Sequence, residues 1–423
     1  MLLVKNGYMM DPKTHTQGKL DLLVDRGVVV KIGENLQEEC GKDCQVVDAK
    51  GMIVAPGLVD VHVHFRDPGF THKEDIETGA ASAARGGVTT VVLMANTKPT
   101  VDNLETLQYV LEKGSKTGIR VETCANVTMG MKGEVLTPME ELAKAGAVGF
   151  TDDGIPLMDA EIVKKAMEIA KELDMPISFH EEDPNLIANN GVNRGKASAH
   201  YGIEGSPREA EITLVDRDLK LAAETGACVE IQHISTKEAV ELVRQAKRSG
   251  ANVHAEATPH HFTLTEEAVI EYGTLAKMNP PLREEADRLA IIEALKDGTI
   301  DLIATDHAPH TAEEKEQDIT KAPSGITGLE TALSLGITKL VKEGHLSMME
   351  LLAKMTCNPA EMYHLNVGYL AEGGPADMIL IDENAIWTVG DYASKSSNSP
   401  FTGWELKGQV KTTICKGEII YQA

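Results

Sequence analysis

The middle of the chain alternates between short apolar runs and longer amphipathic stretches. The apolar runs have the length and β-branched composition of strands, and they span 58–64, 88–96, 120–128, 148–153, 176–182, 228–235, 252–260 and 301–307. Candidate helices lie between them, at 72–86, 102–117, 159–174, 207–226, 236–249 and 285–297. Eight strands in strand–helix order predict an α/β fold, a (β/α)8 barrel of the TIM type. A doubly wound open sheet is the alternative.

The two ends of the chain follow a different pattern. Apolar and polar positions alternate between turn-forming residues in LLVKNGYMMD, KLDLLVDRGVVVKIG and CQVVDAKG near the N-terminus, and in DMILIDENAIWTV and QVKTTICKGEIIYQ near the C-terminus. This pattern predicts antiparallel strands. Neither end has enough apolar residues for its own core, so we expect one small β-sandwich-like domain built from both. The predicted division is a composite β-sheet domain of residues 1–54 and 365–423, and a barrel of residues 55–364.

Composition and charge narrow the possible functions. Hydrophobic residues make up 42% of the chain, enough for a large core. The net charge of −24 argues against nucleic acid and against an anionic membrane surface as partners. A small anionic substrate stays possible if local cations bind it. No apolar run is long enough to span a membrane. We expect a cytoplasmic protein whose six scattered cysteines are thiols.

Polar side chains stand at the ends of the predicted strands, where barrel enzymes carry their catalytic groups. The first strand ends in His62 and His64, whose spacing of two places both imidazoles on one face. On that alternation, Val59, Val61 and Val63 face the helices. Further candidate ligands end other strands, namely Asp153, His180, His233 and Asp306.

Four imidazoles and two carboxylates are the ligand set expected for Zn²⁺ or a similar ion. Taken singly, the histidines can be satisfied core residues, and Asp152-Asp153-Gly154 can be a polar turn. One of His260 and His261 is predicted to orient another group. Together, the six strand-end residues predict a two-metal hydrolase, with Asp306 as the group that moves the proton.

Several motifs carry a family resemblance. GLVDVHVHFRDPG at 57–69 resembles the first-strand motif of the amidohydrolase superfamily. Further motifs, in the same order, resemble the long-chain bacterial type of dihydroorotase: THKEDIETG (71–79), MANTKP (94–99), FTDDG (150–154), NPPLR (279–283) and DHAPH (306–310). GGPADMILID at 373–382 looks like part of the composite sheet domain of that family.

The resemblance implies reversible zinc-dependent hydrolysis of dihydroorotate, run toward closure of N-carbamoyl-aspartate in pyrimidine biosynthesis. It implies two zinc ions, one held by His62, His64 and Asp306 and one by His180 and His233, with Asp153 as the bridge. The substrate contacts that it implies are Arg66, Asn96, Asn279, His310, Ser324 and Gly325. Two positions depart from the family pattern, since Ala95 more often is Pro and Ser324 often is Phe.

Other interpretations remain open at this point. Arg66 can instead be a surface side chain paired with Asp67. Dihydropyrimidinases and allantoinases are close relatives, but they usually bridge their metals with a carboxylated lysine, and the nearest lysine upstream of Asp153 is Lys144. A non-catalytic partner subunit of aspartate transcarbamoylase is a third possibility, although such relatives typically lose metal ligands.

Assembly and motion are also predicted. The resemblance implies a homodimer, and association with aspartate transcarbamoylase is compatible with activity. The charged segment 311–325 is either a lid over the site or a solvated connection.

Overall fold

Seven short strands from the first part of the chain join three strands from its end in two sheets. The computed structural model describes residues 1–41 and 43–423. The early strands are β1 (Leu2–Lys5), β2 (Tyr8–Asp11), β3 (Thr16–Lys19), β4 (Asp21–Asp25), β5 (Val28–Gly33), β6 (Gln45–Asp48) and β7 (Ile53–Pro56). The four-stranded sheet has the order β5-β4-β1-β6.

Eight further strands form the barrel. They are β8 (Leu58–Val63), β9 (Val88–Leu93), β10 (Arg120–Thr123), β11 (Phe150–Thr151), β12 (Ile177–Phe179), β13 (Val229–Ile231), β14 (Val253–Ala257) and β15 (Leu302–Ile303). Neighbouring strands pair in parallel within β8–β10 and within β11–β15. Parallel bridges join Val63 to His307 and Ala125 to Phe150, so the ring of strands closes. The (β/α)8 prediction is confirmed, and the open-sheet alternative is wrong.

The helices are α1 (Ile76–Gly86), α2 (Leu104–Gly114), α3 (Met139–Lys144), α4 (Ala160–Glu172), α5 (Lys196–Tyr201), α6 (Arg208–Thr225), α7 (Lys237–Arg248), α8 (Pro259–Thr263), α9 (Glu267–Tyr272), α10 (Glu285–Asp297), α11 (Ala312–Lys315), α12 (Ala332–Gly336), α13 (Met348–Met355) and α14 (Cys357–Met362). Side chains of Asp75, Asn103 and Asp159 accept hydrogen bonds from the first-turn amides of α1, α2 and α4. These caps explain why the predicted helices begin within a few residues of their expected starts.

The last strands are β16 (Met378–Thr388), β17 (Glu405–Cys415) and β18 (Glu418–Gln422). They extend the second sheet to six strands in the order β18-β17-β16-β7-β2-β3. An apolar cluster that includes Leu2, Leu22, Met378 and Ile414 joins the two sheets. The N- and C-terminal segments therefore combine as predicted, while the exact boundaries at 54/55 and 364/365 stay a prediction.

The pairing within these sheets differs from the expectation of antiparallel strands alone. β1 pairs with β6 in parallel, and β2 pairs with β7 in parallel. A parallel pair needs a long crossover between its strands. The β4–β5 hairpin lies in the connection from β1 to β6 and supplies that length.

The first barrel strand does not pair regularly with its neighbour. The pairing of β8 with β9 shifts register between Asp60 and Val63. Val63 packs in the main core with Phe65 and Ile76. Val59 and Val61 belong to a smaller apolar cluster that contains strand residues such as Leu302 and also Ala360 and Met362 of α14. The irregularity breaks the simple alternation, because an extra residue in a strand reverses the faces beyond it.

The expectation that all six cysteines are thiols was also wrong. Cys40 and Cys44 form a disulfide, with their Cα atoms 5.5 Å apart. Both pack against the small apolar cluster of Leu3, Leu23 and Leu36. Cys124, Cys228, Cys357 and Cys415 are free. Within the described residues, no helix is long and apolar enough to cross a bilayer.

Candidate metal centre and active site

Six buried side chains converge at the C-terminal ends of the barrel strands. They form three overlapping triplets whose candidate ligand atoms lie within 4.8 Å of one another, namely His62–His64–Asp153, His62–His233–Asp306 and Asp153–His180–His233. All six are at most 7% exposed. The structure thus brings together every candidate ligand that the sequence indicates.

Asp153 lies at the centre of this group. Its Oδ1 atom is 3.5 Å from His62 Nε2 and 3.7 Å from both His180 Nδ1 and His233 Nε2. Its Oδ2 atom is 3.4 Å from His64 Nε2. Burial raises the pKa of the Asp153 carboxyl, but the surrounding imidazoles, His62 first, lower it well below the ordinary value. One carboxylate therefore faces all four histidines.

Asp152 has a different role from its neighbour. Its carboxylate accepts hydrogen bonds from the backbone amide of Val127 at 2.9 Å and from the side-chain amide of Asn126 at 3.2 Å. It also accepts from the amide and hydroxyl of Thr128. Asp152 thus anchors the loop after β10. Of these two neighbouring aspartates, Asp153 is the one that faces the histidines.

Asp306 lies at the edge of the cluster. Its Oδ1 atom is 2.9 Å from His64 Nε2 and 3.5 Å from His62 Nε2. Burial raises the pKa of the Asp306 carboxyl, but His62 and His64 lower it below the ordinary value. The carboxylate form is therefore favoured beside these imidazoles.

The donor set fits a metal. His62 Nε2 is buried without a hydrogen-bond partner, although it points at two carboxylates. Buried polar atoms are rarely left unpaired unless water or an ion completes them. Imidazole nitrogens and carboxylate oxygens are the ligands that zinc and similar ions prefer. This buried group is able to bind metal.

Three outer residues hold the ring nitrogens that face away from the cluster. His62 Nδ1 contacts Glu256 Oε1 at 2.5 Å, and His64 Nδ1 contacts Asn96 Oδ1 at 3.0 Å. His180 Nε2 lies 3.3 Å from Glu182 Oε2. Sequence reasoning missed Glu256 and Glu182. Glu182 lies two residues after His180, and Glu256 lies one residue before the end of β14, so both carried the same strand-end signal as the ligands.

Three residues of the site have left-handed backbone, with φ of 59° at Arg66, 32° at His233 and 47° at Asp306. Such conformations cost free energy in residues other than glycine and persist only where the surroundings hold them. The backbone amide of His233 donates to Glu256 Oε1 at 2.9 Å, which is one such restraint. The alternation of a regular strand does not predict where these side chains point.

A cavity of about 180 Å³ adjoins the cluster. All six predicted substrate contacts line it, namely Arg66, Asn96, Asn279, His310, Ser324 and Gly325. Arg66 is half-buried and does not pair with Asp67, which instead pairs with Lys113 at 2.5 Å. The Arg66 guanidinium donates from Nε to the carbonyl of Pro309 at 3.3 Å, and its Nη2 atom lies 3.4 Å from His310 Nε2.

Asn96 contacts the metal-binding group directly. Its side-chain amide nitrogen donates to the carbonyl oxygen of Asp153 at 3.2 Å and to the carboxylate of Asp153 at 3.3 Å. Because its oxygen also contacts His64, both ends of the amide are engaged. Asn96 therefore orients two candidate ligands in addition to lining the cavity.

His310 and Ser324 form the opposite wall. Burial, with the cations Arg66 and Lys73 close by, lowers the pKa of His310 to about 2. The neutral ring can therefore donate from Nε2 to the Ser324 carbonyl, 2.9 Å away. The Ser324 hydroxyl donates to Asn279 Oδ1 at 3.1 Å. A serine at this position is accommodated by a polar contact with Asn279.

Two of the three remaining histidines near the site, His261 and His307, have structural contacts. His261 contacts the Thr258 hydroxyl and the Pro280 carbonyl, so it orients the segment that carries Asn279. His307 accepts from the amide of Gly328 through Nδ1. Burial lowers the pKa of His260 to about 3, and its Nε2 has no hydrogen-bond partner.

Lys144 lies outside the site. Its ammonium group is on α3, exposed, and 3.7 Å from Glu140. A bridging lysine on the fourth barrel strand is absent from the described residues, since Phe150, Thr151 and Asp152 precede Asp153.

Known proteins show the family to which this site belongs. The sequence pattern of the Amidohydrolase family matches residues 53–420. The chain is 56% identical to "Dihydroorotase" of Clostridioides difficile, with all of both chains covered. It is 53% identical to "Dihydroorotase" of Lactococcus lactis, over 100% of this chain and 99% of the relative.

Solved structures show the same fold. An L-hydantoinase (dihydropyrimidinase) from Arthrobacter aurescens superimposes with a TM-score of 0.90 at 26% identity, over 100% of this chain and 96% of that chain. A D-hydantoinase from Thermus sp. gives a TM-score of 0.87 at 24% identity, over 99% of this chain and 95% of that chain. The chain belongs to the amidohydrolase family and, within it, to the dihydroorotases.

Proposed function

We propose that this chain catalyses the reversible hydrolysis of dihydroorotate to N-carbamoyl-aspartate, run toward ring closure in pyrimidine biosynthesis. The observation that carries the proposal is the position of Asp153, whose carboxylate lies within 3.7 Å of ring nitrogens from four histidines. Dihydropyrimidinases usually have a carboxylated lysine at the bridging position, whereas this chain has Asp153 there. This difference favours the resemblance to dihydroorotases over the resemblance to dihydropyrimidinases. The full-length relatives with the same name support this choice.

The proposed cofactor is a pair of Zn²⁺ ions. His62, His64 and Asp306 would hold one, His180 and His233 the other, and Asp153 would bridge them. Asp153 belongs to two of the three overlapping triplets, once with His62 and His64 and once with His180 and His233, which supports its proposed place as the bridge. When bound, such a pair lowers the pKa of water toward neutrality and polarises an amide carbonyl.

Asp306 is the proposed proton carrier. Hydrolysis of an amide requires a base to take the proton of the attacking water and an acid to protonate the leaving nitrogen. Asp306 is buried at the edge of the cluster and borders the cavity, so one carboxylate can do both in turn. In ring closure, the same oxygen would take the proton from the attacking nitrogen.

The cavity wall would bind the substrate. Arg66 offers guanidinium donors for the substrate carboxylate, and its fork geometry suits two parallel hydrogen bonds. Asn96, Asn279 and His310 add polar groups, and the backbone of Ser324 and Gly325 borders the same space. These local donors would bind an anion despite the net charge of −24.

Location and assembly remain predictions. We expect a cytoplasmic homodimer that can also associate with aspartate transcarbamoylase. For segment 311–325 the two predictions are a lid over the site and a solvated connection.

Metal analysis coupled to a dihydroorotate assay, before and after chelation, tests the proposed function. We expect two zinc ions per chain, loss of turnover on chelation and recovery when Zn²⁺ is restored. Hydantoin and allantoin serve as competing substrates in the same assay. Faster turnover of either would contradict the dihydroorotase assignment, and a zinc-loaded chain inactive on all three would favour the non-catalytic alternative.

A further inference from the structure

One oxygen atom of Glu256 contacts residues from both halves of the metal-binding group. Oε1 lies 2.5 Å from His62 Nδ1 and 2.9 Å from the backbone nitrogen of His233. His62 belongs to the proposed first zinc position and His233 to the second. The Glu256 side chain is completely buried on β14, so neither contact is shared with solvent.

The contact with His62 sets which nitrogen is available for a metal. A carboxylate accepts a hydrogen bond from the Nδ1–H of an imidazole, which leaves the lone pair on Nε2. In His62, Nε2 is the atom that points at Asp153 and Asp306. The negative charge of Glu256 also makes the ring a stronger ligand.

The contact with His233 restrains its backbone. His233 has a φ of 32°, a conformation that an L residue keeps only when its surroundings hold it. Its amide donates to the same Oε1 atom, which fixes the peptide plane from which the ring projects. Movement of Glu256 would therefore disturb a ligand of each proposed ion.

We propose that Glu256 is a positioning residue that prepares both metal positions through this single oxygen atom. The inference rests on the proposed metal ligands, and it goes beyond them by assigning a role to a residue that touches neither substrate nor reacting atoms. Loss of its charge should weaken metal binding by about 10- to 100-fold, the usual effect of removing a carboxylate behind a ligand histidine.

Glu230 provides a matched control. It lies on the neighbouring strand β13, is equally buried, and accepts a hydrogen bond from the Tyr363 hydroxyl at 2.9 Å. Within the described residues it has no hydrogen bond to a candidate ligand. Changing either glutamate to glutamine replaces one buried carboxyl of the barrel interior with an amide of the same shape, but only Glu256→Gln changes a ligand contact.

The test measures Zn²⁺ affinity by competition with a chromophoric chelator, in the full chain and in both variants, with Tm recorded for each. We expect Glu256→Gln to bind Zn²⁺ about 10- to 100-fold more weakly and Glu230→Gln to bind it as the unchanged chain does. Equal affinity of Glu256→Gln and the unchanged chain would overturn the proposal. So would an equal loss in Glu230→Gln, because burial of any carboxylate would then explain the effect.

Two further results keep the test decisive. If Glu256→Gln does not fold, Glu256→Asp keeps the charge but withdraws the oxygen from both contacts, and we expect the same loss of affinity. If the unchanged chain binds no Zn²⁺ or does not turn over dihydroorotate, the proposed function fails. If the unchanged chain binds Zn²⁺ and turns over dihydroorotate, and the Glu256 variant binds Zn²⁺ equally well, only the role of Glu256 is overturned.

Discussion

Lys315 donates from its ammonium group to the backbone carbonyl of Gly325, 3.1 Å away, and to that of Pro323 at 2.8 Å. Gly325 borders the cavity beside the metal-binding group. Lys277 forms a second pair of such contacts, with the carbonyls of Ile319 and Ala322. Lys315 therefore holds the segment 311–325 together from within, and Lys277 ties it to the stretch of chain that carries Asn279, which argues against a loose solvated connection.

Lys315→Met should loosen this segment. The variant loses two buried hydrogen bonds, each worth about 1 kcal/mol. We expect faster amide hydrogen exchange across 311–325 and a higher KM, because Gly325 moves with the segment. Lys321→Met, an exposed lysine of the same segment, is the control and should change neither quantity. Unchanged exchange in Lys315→Met would contradict the restraint.

Asp153→Asn and Asp152→Asn should separate metal binding from loop anchoring. Asp153 faces four histidines, so its variant should lose bound zinc while the barrel stays folded. Asp152 holds the backbone of Val127 and Thr128, so its variant should lower Tm but keep its metal. Metal content and thermal unfolding of both proteins check this. Full zinc content in Asp153→Asn would remove Asp153 from the proposed bridge.

Asp306→Asn should reduce turnover of dihydroorotate by about 10²- to 10⁴-fold, the contribution typical of a general acid–base group. The amide cannot take up and release the proton. Circular dichroism should show an intact fold, and metal analysis of the variant separates loss of a ligand from loss of the proton carrier. A rate near that of the unchanged enzyme would exclude the proposed role.

Arg66→Met should mainly weaken substrate binding. We expect KM to rise by about 10- to 100-fold, the size expected when a hydrogen bond to a charged group is lost. Steady-state kinetics on dihydroorotate measure it, and Arg26→Met, with a side chain 91% exposed, should leave KM unchanged. If KM and kcat/KM of Arg66→Met match those of the unchanged enzyme, Arg66 does not bind the carboxylate.

Lys354 should make stability depend on pH. Its ammonium group is buried and donates to the Ile300 carbonyl at 2.9 Å, and burial lowers the pKa from 10.5 to about 8. Between about pH 8 and 10.5 the unfolded chain holds this proton more tightly than the folded chain does. Stability relative to Lys354→Met should therefore rise with pH in that window and be constant below it.

Thermal unfolding across pH 6–11 checks this. A pKa difference of one between the folded and unfolded chain changes the free energy of unfolding by about 1.4 kcal/mol, which such a measurement detects. Lys296→Met, which removes an exposed amine, is the control. The Tm difference between the unchanged chain and each variant is compared across this pH range. If the difference for Lys354→Met depends on pH no more than the difference for Lys296→Met, burial of Lys354 has no such effect.

Much of the fold follows from local patterns. Barrel strands such as β8 and β9 and helices such as α4 and α6 lie within the ranges that periodicity predicts, because buried strands and amphipathic helices repeat their apolar positions at different intervals. The candidate ligands could also be identified from the sequence, since polar residues at the ends of parallel strands meet at one face of a barrel.

Contacts between distant segments could not be predicted in this way. Glu256 lies 194 positions from His62, and no local pattern relates the two. The disulfide between Cys40 and Cys44 and the buried ammonium of Lys315 likewise depend on what packs around them.

Local sequence therefore accounts for the barrel, the terminal sheets and the residue types of a metal centre, because periodicity and strand-end position are properties of neighbouring residues. The tertiary structure decided what Asp152 contacts, where the first strand shifts register, and which carboxylates support the ligands. Those outcomes depend on backbone geometry such as the left-handed turn at His233 and on contacts between distant strands. Such contacts exist only when the ring of strands has closed.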